Sequence, residues 1–211
     1  MGRVMQVSQD SPTPEALDAA ANALVAGGVI VSPTDSVYGL VCTATPGNPA
    51  HQRIFSIKNR PSTQTLPMFV ADPEDLSRYA ANIPSWALAL ARAYWPGTLT
   101  LVVVATGALP AEYLAPTGMV ALRCPNSEFV RELARRVGPL AQTSANTHGE
   151  PSATSGASVE PAIVEAADLT LDGGPAPIAV ASTIVDCTGS VPRILREGAI
   201  AEKDILRVAG A

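Results

Sequence analysis

The longest apolar run in the chain is LTLVVVA, Leu99–Ala105. A membrane-spanning helix needs about 20 apolar residues, so this run is far too short to cross a bilayer. Its β-branched residues and the WPG break just before it mark it as a buried strand, and it is the clearest strand in the sequence. The elements around it are equally short, and prolines and glycines punctuate them. Ser11 or Thr13 caps a first helix, with Pro14 near its first turn. Leu17, Ala20, Ala21, Leu24 and Val25 form its apolar face, and Gly27 and Gly28 end it.

VIVSPT, YGLVCTA and LPMFVA read as extended segments, and PAHQRIFSIK as a short helix between the second and third. PEDLSRYA and IPSWALALARAYW read as helices, with Asp72 and Ile83 near their starts. MVALRCP is a strand, NSEFVRELARRVG a helix and PLAQTSAN a strand ending in a polar turn. SVEPAIVEAA is a helix, LTLDGG, STIVDCT and RILREGAI are short β segments, and EKDILRV is a final helix. Several strands follow one another directly. The expected fold is therefore α/β, a twisted mixed β-sheet with flanking helices, rather than a strictly parallel doubly wound one. With 211 residues, 47% of them hydrophobic, one domain over residues 1–211 is the expectation.

Composition excludes several classes. The formal net charge of -5 argues against a generic nucleic-acid binder, although a local basic cleft is compatible with it. Cys42, Cys124 and Cys187 are far apart and form no CxxC, so neither a disulfide framework nor a zinc knuckle is indicated, and a cytoplasmic protein is expected. His51 and His148 have no Cys or acid at metal-ligand spacing. The N-terminus shows no charged-then-apolar signal pattern. It begins Met1-Gly2, but Gln6 stands where a myristoylation signal needs Ser or Thr.

Five places carry candidate chemistry. IKNRP puts Lys58 and Arg60 two residues apart before a small polar turn, and lysine is rare in this chain, with Lys203 its only other instance. An ammonium meets a phosphate cluster as a point charge, yet KxR alone is a weak signal and base rates favour a solvated loop. SPTDSVYGL places hydroxyls, a carboxylate and backbone N–H groups just after a buried strand, where open α/β sheets bind ligands; a turn serving its own backbone is the alternative. QTSANTHGEPS repeats that arrangement and could equally cap the next helix. STIVD and RILREG bring Ser182, Arg193 and Arg196. Arg123, inside the apolar strand MVALRCP, needs an anionic partner, either a structural carboxylate or a ligand. No Ser-His-Asp triad, P-loop or GxGxxG is present. Strand ends bearing Lys, Arg, Ser, Thr and Asn suit charge neutralisation and positioning more than an activated side-chain nucleophile.

Taken in order, PTDSVYGL, IKNRP, WPGTLTLVV, ALRCP, TSAN, LDGG, STIVD and ILREGAI resemble the YrdC-like threonylcarbamoyl-AMP synthases from roughly Val29 to Ile200. The resemblance implies a concave basic cavity on one face of the sheet. It also implies condensation of L-threonine, bicarbonate or CO2 and ATP to threonylcarbamoyl-AMP and pyrophosphate, with Mg2+ arriving on ATP and no metal held by the protein. Separate transfer proteins then modify tRNA. The KxR and SxN pairs imply catalytic roles for Lys58, Arg60, Ser144 and Asn146. Lys58 and Asn146 fall at the reacting phosphates, and Arg60, Ser144, Ser152 and Arg196 on the nucleotide side. Thr34, Arg123 and Ser182 fall around L-threonine.

Phe69 stands where many members carry His, Gln64 replaces a common Asn, Met119 replaces a Thr, and Gln142-Thr143 replaces Ala-Pro. Two further expectations follow. PSTQTL forms a lid that orders on ATP, and Lys58→Ala abolishes turnover with little change in melting temperature. Three alternatives stand beside this reading. One is a YciO-like paralogue without synthase activity, whose relatives tend to lose KxR and SAN. The second is an RNA-binding module in tRNA or ribosome maturation, disfavoured by 4% aromatic content, with weak RNA contact left open. The third, the carbamoyl-transfer domain of hydrogenase maturation proteins, belongs to much longer chains. A chain that ends soon after LREGAI is expected to be the single-domain form.

Overall fold

The computed structural model describes residues 3–61 and 64–211. Strand β1 (Val4–Gln6) leads into helix α1 (Pro14–Val25). Thr13 caps α1 by accepting the amide of Ala16, and Gly27 at φ 78° turns the chain out of it. Then come β2 (Ile30–Ser32), β3 (Gly39–Thr43), α2 (Pro49–Ile57), β4 (Met68–Phe69), α3 (Asp75–Tyr79), β5 (Ala80–Ala81), α4 (Ser85–Tyr94) and β6 (Leu99–Ala105). They are followed by β7 (Met119–Arg123), α5 (Glu128–Val137), β8 (Leu140–Ser144), α6 (Pro161–Ala166), β9 (Leu169–Asp172), β10 (Thr183–Asp186), β11 (Arg193–Arg196) and α7 (Glu202–Ala209).

The strands form one mixed sheet in the order β1-β9-β2-β3-β8-β4-β7-β6-β10-β11, with β5 beside β6. β1–β9, β9–β2, β4–β7 and β6–β10 are parallel and the remaining pairs antiparallel. The mixed sheet expected from consecutive strands is what forms.

Side chains alternate between its two faces. Val31, Leu40, Cys42, Met68, Leu101 and Leu122 pack on one face, in a core completed by α2 and α4. Ile30, Val41, Phe69, Leu140 and Leu169 pack on the other, against α1 and α5. Burial on both faces explains why these strands read as unbroken apolar runs.

Two local expectations are corrected, and one strand was not foreseen. Val25 does not join the buried face of α1, because it sits at the helix's last turn with 73% of its surface exposed. The helix expected over PEDLSRYA is shorter. It starts at Asp75, whose carboxylate accepts the amides of Ala71 and Asp72, and it gives way to β5 at Ala80. β1 carried no sequence signal of its own, since its partner is β9, more than 160 residues away.

Candidate functional site

Helices α1 and α5 cover only part of their face of the sheet. Beyond Leu140 and Phe69 the same face continues as the floor of a cavity of about 300 Å³. The lining shows the period-2 signature: Thr65, Pro67 and Phe69 at β4, Gln142 and Ser144 on β8, Ser182 and Ile184 at β10. Register carries the series across the sheet, because Phe69 pairs with Arg123, and Ile184 with both Thr100 and Arg196. Arg60, Ser152 and the turn Thr34–Val37 close the sides.

Seven of the nine residues singled out by the resemblance line this cavity: Thr34, Arg60, Arg123, Ser144, Ser152, Ser182 and Arg196. The other two, Lys58 and Asn146, lie behind its wall and are buried. Lys58 is the C-cap residue of α2, and Asn59 next to it sits in the left-handed region at φ 51°. The reversal sends the two cations of the KxR pair to different places. Arg60 goes to the cavity. Lys58 Nζ donates to the backbone carbonyls of Ser144 at 2.5 Å and Asn146 at 2.6 Å. Asn146 in turn donates to the carbonyls of Thr147 and Glu150. The ammonium thus ties the end of α2 to the loop that follows β8.

Burial, reinforced by Arg60 and opposed by Glu160, lowers the Lys58 pKa to about 8. The burial of Lys58 gives it a framework role beside the one the resemblance implies. A buried ammonium bonded to two carbonyls is part of the framework; its loss leaves the Asn146 carbonyl without that donor and the Ser144 carbonyl with only the Asn146 amide.

Arg60 is held by Gln64 Oε1 on Nε at 2.7 Å, by Thr143 Oγ1 and the Thr65 carbonyl at 3.3 Å each, and by the ring of Phe55. Arg196 donates to the Ser182 carbonyl through Nε and Nη2, and through Nη2 to the Ser182 hydroxyl, which also pairs with Thr100 at 2.8 Å. Burial lowers the pKa of both arginines, and neither has a carboxylate partner among the described residues.

Arg123 is different. It is buried with a carboxylate, Asp35, which answers the question its apolar strand raised. Burial lowers its pKa, Asp35 opposes that, and Arg196 adds to it. Thr34 spends its hydroxyl on its own turn, accepting the amides of Ser36 and Val37 and donating to the Val37 carbonyl.

Sequence reading placed Asp35, Ser36, Gln142 and Thr143 within candidate segments without giving them roles, and did not single out Thr65 or Thr100. Period-2 counting back from Phe69 and Ser144 would have found Thr65 and Gln142. Thr100 needed the register of β6 on β10. Met119 lies away from the cavity, opposite Val104 at the start of β7. Of the PSTQTL segment expected as a lid, Ser62 and Thr63 lie outside the described residues.

Among the described residues, the cavity lining combines three guanidinium groups with eight serine and threonine hydroxyls and contains no Asp, Glu, His, Cys or Lys. It can bind and orient polyanions; it offers no side-chain base or strong nucleophile. Among the described residues no group of three or more His, Cys, Asp and Glu is placed to hold a metal ion, and no helix is long and apolar enough to cross a membrane.

Comparison with known proteins adds an independent line. A family model named for Sua5, YciO and YrdC, and described as telomere recombination, matches residues 22–198. A putative threonylcarbamoyl-AMP synthase of Mycobacterium tuberculosis (strain CDC 1551 / Oshkosh) is 35% identical over 191 residues, covering 90% of this chain and 88% of the relative. The crystal structure of P. abyssi Sua5 complexed with L-threonine superposes with a TM-score of 0.88 at 33% identity, over 98% of this chain. This chain spans 61% of that one. E. coli YciO superposes with a TM-score of 0.84 at 26% identity, covering 98% of this chain and 100% of the other.

Proposed function

The chain belongs to the Sua5/YciO/YrdC family, and from that premise we propose that it is a threonylcarbamoyl-AMP synthase. It condenses L-threonine, bicarbonate or CO2 and ATP, and releases pyrophosphate. The observation that carries this reading is the cavity's inventory: guanidinium and hydroxyl groups on one sheet face, with no catalytic base or nucleophile among them.

The chemistry needs no more than that. The threonine amine adds to CO2 and loses a proton, giving a carbamate. A carbamate oxygen then bonds to the α-phosphorus of ATP as the bond to the pyrophosphate oxygen breaks. The barrier is the approach of one anion to a polyanion in a water-poor space, and fixed cations lower it. Arg60 and Arg196 have no carboxylate of their own to neutralise, so their charge is available to phosphate oxygens. Ser144 and Ser152 add hydroxyl donors on the same side. Arg123, Thr34 and Ser182 receive L-threonine, with Phe69 beneath the Arg123 guanidinium as an apolar floor. ATP enters as its Mg2+ complex, because a lining without carboxylates suits an ion carried on phosphate oxygens. Lys58 and Asn146 act from behind the wall by fixing the loop that presents Ser144.

The product serves separate transfer proteins that modify tRNA, in the cytoplasm. No observation favours the YciO-like or RNA-binding alternatives over this reading. Pyrophosphate release from Mg2+-ATP tests it. Release that requires both L-threonine and bicarbonate is expected, and release indifferent to L-threonine, or none from folded protein, would overturn it. Serine in place of L-threonine measures how far Phe69 relaxes the choice of amino acid.

A further inference from the structure

Arg123 is the cavity cation whose geometry is most completely determined. Its Nε donates to the Gly97 carbonyl at 2.8 Å, Nη1 to Ser36 Oγ at 2.7 Å and Nη2 to Asp35 Oδ1. The Phe69 ring centroid lies 5.6 Å from its Cζ. Arg123 is 3% exposed and Asp35 2% exposed, so the pair is withdrawn from water on all sides but the cavity. Asp35 does not line the cavity, whereas Arg123 and Ser36 do.

Burying such a pair is a poor route to stability, since apolar residues of similar volume do as well or better. Here the arrangement is less favourable still, because the second carboxylate oxygen of Asp35 has no hydrogen-bond partner among the described residues. What the carboxylate does achieve is to fix one guanidinium in one orientation and to cancel its charge. An Arg123 neutralised from behind offers directed N–H donors without long-range pull. It is suited to a single small carboxylate and adds little attraction for a triphosphate. Arg60 and Arg196, lacking such partners, keep theirs.

We propose that Asp35 is a positioning residue that makes Arg123 selective for the amino-acid substrate over the nucleotide, acting through the guanidinium and touching neither ligand. The inference rests on the synthase reading. Equilibrium binding separates the two, because it needs no turnover. L-Threonine and Mg2+-ATP are titrated separately into the whole wild-type chain, Asp35→Asn and Asp35→Glu, with the folded fraction followed by thermal melting.

In Asp35→Asn, L-threonine affinity is expected to fall about tenfold or more, the size of a lost charged hydrogen bond. Affinity for Mg2+-ATP should hold or rise, since Arg123 is no longer neutralised. Asp35→Glu, which restores the charge, should recover part of the L-threonine binding and return ATP binding to the wild-type value. Unchanged L-threonine affinity in Asp35→Asn, or a parallel fall for both ligands, overturns the inference while leaving the synthase reading intact. A wild-type chain that binds no L-threonine overturns both. Should Asp35→Asn fail to fold, Ser36→Ala removes only the Nη1 acceptor. A rise of about threefold in the L-threonine Kd, with ATP unchanged, is then expected, and no rise overturns the proposal.

Discussion

Two cavities of this molecule differ in what their arginines do. Between the end of β4, α3 and α5 lies a second cavity, comparable in size to the candidate site. Its charged lining is balanced, with Asp72 and Asp75 against Arg78 and Arg135. Arg135 meets Asp72, Glu128 and Glu132, and Arg131 meets Asp72 and Glu128. Asp75 is occupied by the amides of Ala71 and Asp72. On the candidate site's face, Arg60 and Arg196 have no acid among the described residues to satisfy them. Charge left unpaired at a concave surface is what identifies a site for anions.

The comparison breaks most easily at the unpaired cations. Arg60→Ala or Arg196→Ala should lower the rate of pyrophosphate release by about a hundredfold or more, the usual loss for one preorganised cation. Their melting temperatures should move by only a few degrees. An equal loss in Arg135→Ala would erase the distinction between the regions.

Lys58 lies between the two classes, since it serves the site and the framework together. Lys58→Ala should cost about 1–3 kcal/mol of stability as well as most activity, checked by urea unfolding alongside the rate. Its pH dependence has opposite signs in the two readouts. The folded pKa, about 8, lies below the ordinary value of 10.5. Between these values the unfolded chain holds the proton that the folded chain has released, so this group's contribution to stability rises with pH. The bonds to Ser144 and Asn146 weaken over the same window, so activity should fall through about pH 8. A rate that stays flat from pH 7 to about 10 would remove the loop-fixing role.

A smaller effect concerns the strap that leads into Ser182. Ala179 sits at φ 55°, between exposed Ile178 and Val180. Ala179→Gly should raise stability by up to about 1 kcal/mol, as relief of the left-handed strain exceeds the added chain entropy. A lower melting temperature would show that the strain is absent.

The smallest effect belongs to the paired flank. Arg135→Ala should cost less than about 1 kcal/mol per exposed pair and leave activity unchanged. Hydrogen bonding to Arg135, then to Arg131, holds the Asp72 carboxyl down to about 2. That contribution is present above the ordinary value of 3.8 and is lost as pH falls towards 2. Acid unfolding of Arg135→Ala should therefore begin at higher pH than that of the wild type.

The elements of the fold were legible because most of them carry their own signals. Thr13 and Asn48 cap helices with a following proline, and the strands buried on both faces are largely apolar. β1 and β5 were not, since each is short and defined by a distant partner. At the site, the motif residues were legible as a set, but their orientation was not. Nothing in KxR says that a left-handed Asn59 parts the two cations. Nothing in SPTDS says that Asp35 turns inward to Arg123 while Ser36 lines the cavity. Those facts depend on register and burial, which exist only once the sheet has formed.

The most direct test of the central claim is the affinity for Mg2+-ATP, measured by calorimetry on the wild type, Arg196→Ala and Arg135→Ala. The account predicts that Arg196→Ala binds about tenfold or more weakly, while Arg135→Ala binds within about twofold of the wild type. Undiminished binding in Arg196→Ala, or a matching loss in Arg135→Ala, would contradict it.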